Sequence, residues 1–188
     1  YINRLGSSGL QEDHAKFEMT GGTIKGGEYG LKHTQLNEIT LSGGTISGGK
    51  NQPDVYMAWE KNSVSGTAKF TVEGNFPFAS MQIESASKVN EIDFTKATAT
   101  GEENLQINLP WDGNETGANM KLFKASTSNY RDLLKHITLS GGKTPIFAVY
   151  NERMISENPE TTEIYAFSAP NLYTVHVKYY TKSSEAAP

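Results

Sequence analysis

Apolar and polar residues alternate in several short stretches of the chain. The two clearest are Phe17-Glu-Met-Thr-Gly-Gly-Thr-Ile24 and Ile39-Thr-Leu-Ser-Gly-Gly-Thr-Ile46, which align at an offset of 22 residues. Alternation with a period of two is typical of a β-strand that buries one face. The glycine pair supplies the backbone conformations that a sharp bend requires. The pattern therefore predicts short strands that repeat every 22 residues.

Weaker echoes of the same pattern occur further along the chain. Phe70-Thr-Val-Glu-Gly-Asn75 begins 31 residues after Ile39, which indicates an insertion within residues 51–66. Ile92-Asp-Phe-Thr95 returns to the 22-residue spacing, and Ile137-Thr-Leu-Ser-Gly-Gly142 lies 45 residues further on, about two repeats later. The residues predicted to point inward are Phe17, Met19, Ile39, Leu41, Phe70, Val72, Ile92, Phe94, Ile137 and Leu139.

The length of the repeat limits the fold. A 22-residue unit is too short for a strand followed by a crossover helix, which needs about 30 residues or more. It suits one coil of a solenoid, in which each coil buries its inward face by stacking on its neighbours. We therefore predict an all-β right-handed parallel β-helix, a solenoid with coils of about 22 residues.

The rest of the chain predicts one short helix and a divergent C-terminal part. Residues 126–136 carry the helix signal, with Ser or Thr as the cap and Leu133 and Leu134 as the apolar edge. We assign residues 1–147 to the β-helix repeat region. Strands around Ile146-Phe-Ala-Val-Tyr150, Glu163-Ile-Tyr-Ala-Phe167 and Leu172 to Tyr180 are predicted to close the stack within residues 148–180, and 181–188 form a linker or tail.

The Gly-Gly-Thr-Ile phrases resemble the repeats of bacterial surface proteins, often called adhesin-like, that have a pectate-lyase-like β-helix. In those proteins the repeats precede stretches similar to Asp54-Val-Tyr-Met57 and Lys69-Phe-Thr-Val-Glu-Gly74, which occur here in that order. The resemblance covers residues 15–76 and, more loosely, 77–147. It implies a secreted protein at the bacterial cell surface, and the family has no common catalytic set to carry over.

Composition excludes several classes of partner and chemistry. The net charge is −4 and the 17 basic residues include only three Arg, so nucleic acid is not the expected partner. The absence of Cys excludes disulfides and is compatible with an exported bacterial protein. No apolar run reaches the roughly 18 residues of a membrane span. The chain opens at Tyr1 without Met, and we expect a fragment of a longer protein.

Candidate catalytic and metal-binding residues do not form a site in the sequence. A polysaccharide lyase or hydrolase on a β-helix needs clustered acids, within about 5–9.5 Å for glycoside hydrolysis. The predicted outward positions offer only Glu18 and Asp93, several coils apart. The loop at residues 111–117 predicts an Asp-Gly turn in preference to a calcium site. The four histidines are His14, His33, His136 and His176. They lack metal-ligand spacing and are predicted at the surface or in turns. No cofactor is expected.

Four aromatic residues are candidates for ligand binding. Trp59, Trp111, Tyr29 and Tyr56 would form a platform for sugar rings, with core packing as the competing interpretation. The predicted function is a noncatalytic extracellular surface module with an adhesion or spacer role toward a host or cell-surface protein or glycan. We expect the module to be a monomer. The alternatives are a carbohydrate-binding or polysaccharide-cleaving domain, and a self-assembling structural element.

Overall fold

The computed structural model describes residues 15–33, 37–58, 69–85, 91–99, 104–112, 118–142, 145–150 and 160–168. In these ranges the chain forms twelve strands and one short helix. The strands are β1 (Ala15–Lys25), β2 (Leu31–His33), β3 (Asn37–Ser47), β4 (Val55–Met57), β5 (Lys69–Gly74), β6 (Ser80–Ile83), β7 (Glu91–Ala97), β8 (Leu105–Asn108), β9 (Asn119–Ser126), β10 (Ile137–Ser140), β11 (Pro145–Tyr150) and β12 (Thr161–Ser168); the helix is α1 (Tyr130–Lys135).

Strands β1 to β11 alternate between two sheets, and β12 joins the same sheet as β11. The larger sheet has seven strands in the order β1-β3-β5-β7-β9-β12-β11, and the smaller has five in the order β10-β8-β6-β4-β2. Strands β1 to β10 pair in parallel within their own sheet. The chain then reverses, because β12 is antiparallel to both β9 and β11. The larger sheet is therefore mixed and the smaller is parallel throughout.

The predicted register is confirmed in the larger sheet. Phe17 lies opposite Ile39, Ile39 opposite Phe70, and Phe70 opposite Ile92, so both the 22-residue and the 31-residue offsets describe real strand pairs. Every residue predicted to point inward is buried except Phe17 and Leu139, which pack partly buried against the core. The alternation places these side chains inside because residues i and i+2 of a strand share one face.

The Ile137 echo was assigned to the wrong row of strands. Ile137 and Leu139 belong to β10 of the smaller sheet, where they lie opposite Leu105 and Ile107. The larger sheet continues instead through β9, with Phe94 opposite Ala125. The same alternating pattern serves either sheet because residues of both sheets bury one face in a single core, so the pattern alone does not identify the partner strand.

The prediction of a right-handed parallel β-helix is wrong. Over the described ranges the strands form two sheets, one of them mixed, without a closed solenoid. The repeats specify parallel pairing of neighbours because matched apolar residues stack in register. They do not specify how the connections between strands run, and the antiparallel β12 and β11 carry no repeat.

The helix and the late strands agree with the sequence in part. Helix α1 begins at Tyr130, later than expected, and its N-cap residue Asn129 makes no side-chain capping hydrogen bond, so the predicted Ser or Thr cap is wrong. The strands expected near Ile146 and Glu163 are present as β11 and β12. The strand expected at residues 172–180 and the tail at 181–188 lie outside the described residues.

A chain of aromatic contacts runs through the core between the sheets. Successive ring centroids lie 4.8 to 6.1 Å apart, mostly in edge or tilted geometries that aromatic pairs prefer. The rings, in order of contact, are His33, Phe70, Phe78, Phe76, Phe94 and Phe123. The prediction that His33 lies at the surface or in a turn is wrong, since it is fully buried on β2.

Candidate functional site

The outward residues of the larger sheet carry charges that pair across neighbouring strands. We call this surface the charged face; it includes Lys16, Glu18, Glu38, Lys69, Glu73, Glu91, Asp93, Lys96, Lys121, Lys124 and Glu163. Lys96 Nζ lies 2.7 Å from Glu73, and Lys124 Nζ lies 2.8 Å from Glu91. These hydrogen bonds raise the pKa of both lysines. Glu73 and Glu91 therefore each link one strand to the next.

The two carboxylates considered for catalysis also have local partners. Glu18 on β1 lies 3.1 Å from Lys16. Asp93 on β7 accepts hydrogen bonds from the backbone N–H of Thr95 at 2.9 Å and from its hydroxyl at 2.6 Å. Strands β3 and β5 separate the two acids, and neighbouring strands are about 4.8 Å apart. Glu18 and Asp93 are thus too far apart to act on one glycosidic bond.

The outward residues of the smaller sheet are almost uncharged. We call this surface the neutral face; it comprises Lys32, Tyr56, Ser80, Gln82, Gln106, Asn108, Thr138 and Ser140. Lys32 is its only charged member and lies on β2, at the end of the sheet. Five of these residues form one row across the sheet in matched register: Lys32, Tyr56, Gln82, Asn108 and Ser140.

Hydrogen bonds hold the amides and hydroxyls of the neutral face in place. The Gln106 amide donates to Asn108 Oδ1 at 2.7 Å and to the Ser140 hydroxyl at 3.2 Å. The Ser140 hydroxyl donates to the same Asn108 oxygen, and the Gln82 amide donates to the Asn108 carbonyl at 3.4 Å. These contacts preorganise the face, which lowers the entropy lost when a partner binds.

Asp54 joins three segments at the base of the neutral face. Its Oδ1 accepts from the Gly48 N–H at 2.9 Å, and its Oδ2 accepts from the N–H groups of Ala79 and Ser80 at 2.9 and 3.0 Å. The Asp54 N–H donates in turn to the Ser80 hydroxyl at 3.0 Å. A cleft of about 440 Å³ beside it is lined by Asp54 and Phe76, among others. Because both oxygens already accept backbone N–H groups, the Asp54 carboxylate acts as a structural link.

Two tyrosines stack at the β2 end of the neutral face. Tyr29 lies in the loop between β1 and β2, and Tyr56 lies on β4 beside Lys32. Their ring centroids are 4.4 Å apart with 21° between the planes. Tyr29 lines a cleft of about 250 Å³ together with Glu28 and Lys32. Tyr56 does not line that cleft but stacks on the Tyr29 ring.

Both tyrosines are neutral phenols at physiological pH. Burial raises the pKa of Tyr56 to about 12, with further contributions from the charge of Glu84 and a hydrogen bond to it. Burial also raises the pKa of Tyr29, assisted by a hydrogen bond with Glu28. The stack is therefore an uncharged aromatic surface with carboxylate oxygens at its edge.

Glycines allow the Tyr29 loop to lie close to the next repeat. The Gly26 N–H donates to the Ser47 carbonyl at 2.9 Å, and the Gly49 N–H donates to the Glu28 carbonyl at 2.8 Å. A Cβ on Gly30 would lie 2.6 Å from the Ile46 side chain and 2.7 Å from the Ser47 carbonyl. Gly30 is thus needed for close stacking of this loop on the next repeat.

The four aromatic candidates separate into three cases. Tyr29 and Tyr56, which are far apart in sequence, are brought together by the pairing of β2 with β4. Trp111 is only 7% exposed, packs in the core beside Gly142, and accepts a hydrogen bond from the Gly142 N–H at its carbonyl, so it is not part of a platform with the tyrosines. Trp59 lies outside the described residues.

The sequence interpretation overlooked the charged neighbours of the tyrosines. Glu28 and Lys32 line the same cleft as Tyr29, and Glu84 acts on Tyr56. Only a partial signal was present, because Val55-Tyr-Met57 alternates around a polar hydroxyl and Leu31-Lys-His33 does so only if the histidine is taken as an inward residue. Matching those triplets would have placed Lys32 beside Tyr56 on a second sheet.

Three further findings concern metal ions, membrane spans and similarity to known proteins. No group of three or more His, Asp or Glu residues that could hold a metal ion occurs in the part of the chain that the structure describes. Over the same ranges no helix is long and apolar enough to cross a membrane. No known protein family, curated protein or solved structure matches the chain. The resemblance to adhesin-like surface proteins thus stays a prediction.

Proposed function

We propose that this chain is a noncatalytic module of an extracellular surface protein, and that its neutral face is the surface that meets a partner protein or glycan. The observation that supports this most is the difference between the two faces. On the charged face, acids pair with lysines of neighbouring strands. On the neutral face, amides and hydroxyls are held in rows by mutual hydrogen bonds.

Several carboxylates of the charged face are paired with lysines of neighbouring strands. Glu73 and Glu91 each bond a lysine on the next strand, and Glu163 bonds Lys121. An exposed ion pair contributes only about 0–1 kcal/mol to stability. Charges along a sheet surface also oppose unwanted association between sheets. The charged face is therefore suited to solvation, and the partner surface lies elsewhere.

The neutral face has the chemistry of a recognition surface. Charged residues are depleted at the centres of protein interfaces, because removing a charge from water is costly. Amides and hydroxyls, in contrast, both donate and accept hydrogen bonds. The row from Tyr56 to Ser140 offers such groups on four neighbouring strands. A spacer or adhesion role follows from a rigid module that presents this face.

Binding is tested by placing charge on one face at a time. The purified chain is immobilised and exposed to extracellular-matrix proteins and glycans, and bound partner is quantified. Gln82→Glu changes the neutral face, and Thr40→Glu on β3 is the matched control on the charged face. We expect Gln82→Glu to reduce binding at least tenfold and Thr40→Glu to leave it unchanged. Equal behaviour of the two variants would contradict the assignment of the face.

Catalysis is tested separately. The chain is incubated with uronate-containing and neutral polysaccharides, and both unsaturated products and new reducing ends are measured. We expect no turnover above a buffer control. Turnover that persists through purification and disappears in a single-residue variant of this chain would overturn the noncatalytic assignment.

A further inference from the structure

We propose, on the basis of the binding role given above, that the cleft lined by Tyr29, Glu28 and Lys32 binds one ring of an uncharged glycan. Tyr29 contacts the sugar, and Tyr56 is a positioning residue that supports the Tyr29 ring. The ligand class is a neutral hydroxyl-rich ring, such as an uncharged hexose within a longer sugar chain.

The geometry separates the roles of the two tyrosines. Tyr29 lines the cleft, whereas Tyr56 stacks against Tyr29 at 4.4 Å and is held on β4 between Lys32 and Gln82. One face of the Tyr29 ring is therefore covered by Tyr56. A stacked partner restricts the ring to one orientation, so that less freedom is lost on binding.

The size of the cleft limits the ligand. Its volume of about 250 Å³ lies below the roughly 300–1,000 Å³ of pockets that enclose drug-sized molecules. A single six-membered ring is of suitable size, and the rest of a chain would extend over the surface. The cleft opens beside Lys32, where the row of amides and hydroxyls on the neutral face begins.

The cleft is lined by charges of both signs, Lys25 and Lys32 together with Glu28. The two lysines disfavour a cationic ligand, and the Glu28 carboxylate weakens the attraction that they exert on an anionic one. For a sugar the same groups are complementary, because the carboxylate accepts hydrogen bonds from hydroxyls and the ammonium groups donate to them. The apolar C–H side of the ring is left to pack on the Tyr29 face.

The test is a titration of glycans against a set of tyrosine variants. Neutral oligosaccharides built from glucose, galactose or mannose are compared with polygalacturonate as the anionic probe and chitosan oligomers as the cationic probe, by isothermal calorimetry. We expect Tyr29→Ala to weaken binding of a neutral oligosaccharide about tenfold or more, equivalent to about 1.4 kcal/mol. Tyr29→Phe should stay within about threefold of wild type, because the ring remains.

Tyr56 is tested as a positioning residue in the same assay. Tyr56→Ala should weaken binding and alter the near-ultraviolet circular dichroism of the tyrosines, and Tyr56→Phe should restore both. Tyr165→Ala is the matched control, because Tyr165 is a half-buried tyrosine on the charged face that bonds Glu163. Far-ultraviolet circular dichroism checks that each variant is folded.

Several outcomes would overturn the glycan site. These are undiminished binding by Tyr29→Ala, equal loss with Tyr165→Ala, tighter binding of the charged probes, or no binding of any neutral glycan at millimolar concentration. If neutral glycans fail while a protein partner still depends on the neutral face, the glycan site is wrong and the proposed binding role stands. Polysaccharide turnover would instead remove the noncatalytic role.

Discussion

Replacing Asp54 with alanine is expected to lower the free energy of unfolding by about 3 kcal/mol, since three hydrogen bonds are lost at about 1 kcal/mol each. The bonds come from the N–H groups of Gly48, Ala79 and Ser80, at 2.9 to 3.0 Å. The value for an uncharged hydrogen bond is used, because the bond from Ala79 is exposed to solvent, which screens the carboxylate charge. Asp54→Asn should cost about 1 kcal/mol, since the remaining oxygen can keep the two bonds from Ala79 and Ser80 and only the bond from Gly48 is lost.

The assay is equilibrium unfolding in urea, followed by far-ultraviolet circular dichroism and extrapolated to water with a common slope. Asp132→Ala is the matched control, because Asp132 is exposed and its carboxylate bonds Lys135 of the same helix. That control should stay within about 0.5 kcal/mol of wild type. If Asp54→Ala unfolds within the same margin, Asp54 does not link the segments around β4 as described.

Three further predictions concern packing and pH. Gly30→Ala should lower the free energy of unfolding by about 1–3 kcal/mol through overpacking. A Cβ at Gly27 would meet no atom within 4 Å, so Gly27→Ala should unfold at the wild-type urea concentration. Equal unfolding midpoints for the two variants would contradict this. Phe94→Ala should cost about 3–5 kcal/mol, because Phe94 is fully buried, and a cost below 1 kcal/mol would argue against the aromatic core. Burial opposes ionisation of Glu163, but hydrogen bonds from Lys121 and Tyr165 outweigh burial and hold the pKa of Glu163 below the ordinary 4.5. The free energy of unfolding should therefore fall as the pH drops below about 4.5 and through the lowered pKa. The fall should be smaller in Glu163→Gln. If wild type and Glu163→Gln lose stability in the same way as the pH falls, ionised Glu163 does not stabilise the fold.

Much of the larger sheet could be predicted from the sequence. The alternation in Phe17 to Ile24 and Ile39 to Ile46 identified the strands, their parallel pairing and the 22-residue register, all of which the structure contains. These features are local, because a strand's two faces are set by neighbouring residues and similar phrases stack with matching apolar side chains. The prediction remained correct across the 31-residue step to Phe70.

The smaller sheet was not predicted, and its absence from the interpretation caused two errors. Strands β2 and β4 have only three residues each, too few for periodicity to identify them with certainty. Without them, Ile137 was assigned to the row of Ile92, and a closed β-helix was inferred where two sheets are present. His33 was likewise expected outside the core although β2 buries it.

In the candidate site, too, some features could be predicted from the sequence and others depend on the fold. The alternation of residues predicted which segments form strands. The glycine pairs, which were expected at sharp bends, lie inside β1 and β3 at a shift in register. That the Tyr29 and Tyr56 rings stack at 4.4 Å and that Trp111 belongs to the core depends on the tertiary fold. Alternation is a property of residues that are neighbours in the sequence. Contact between distant segments depends instead on which strands pair and on the path of the chain between those strands.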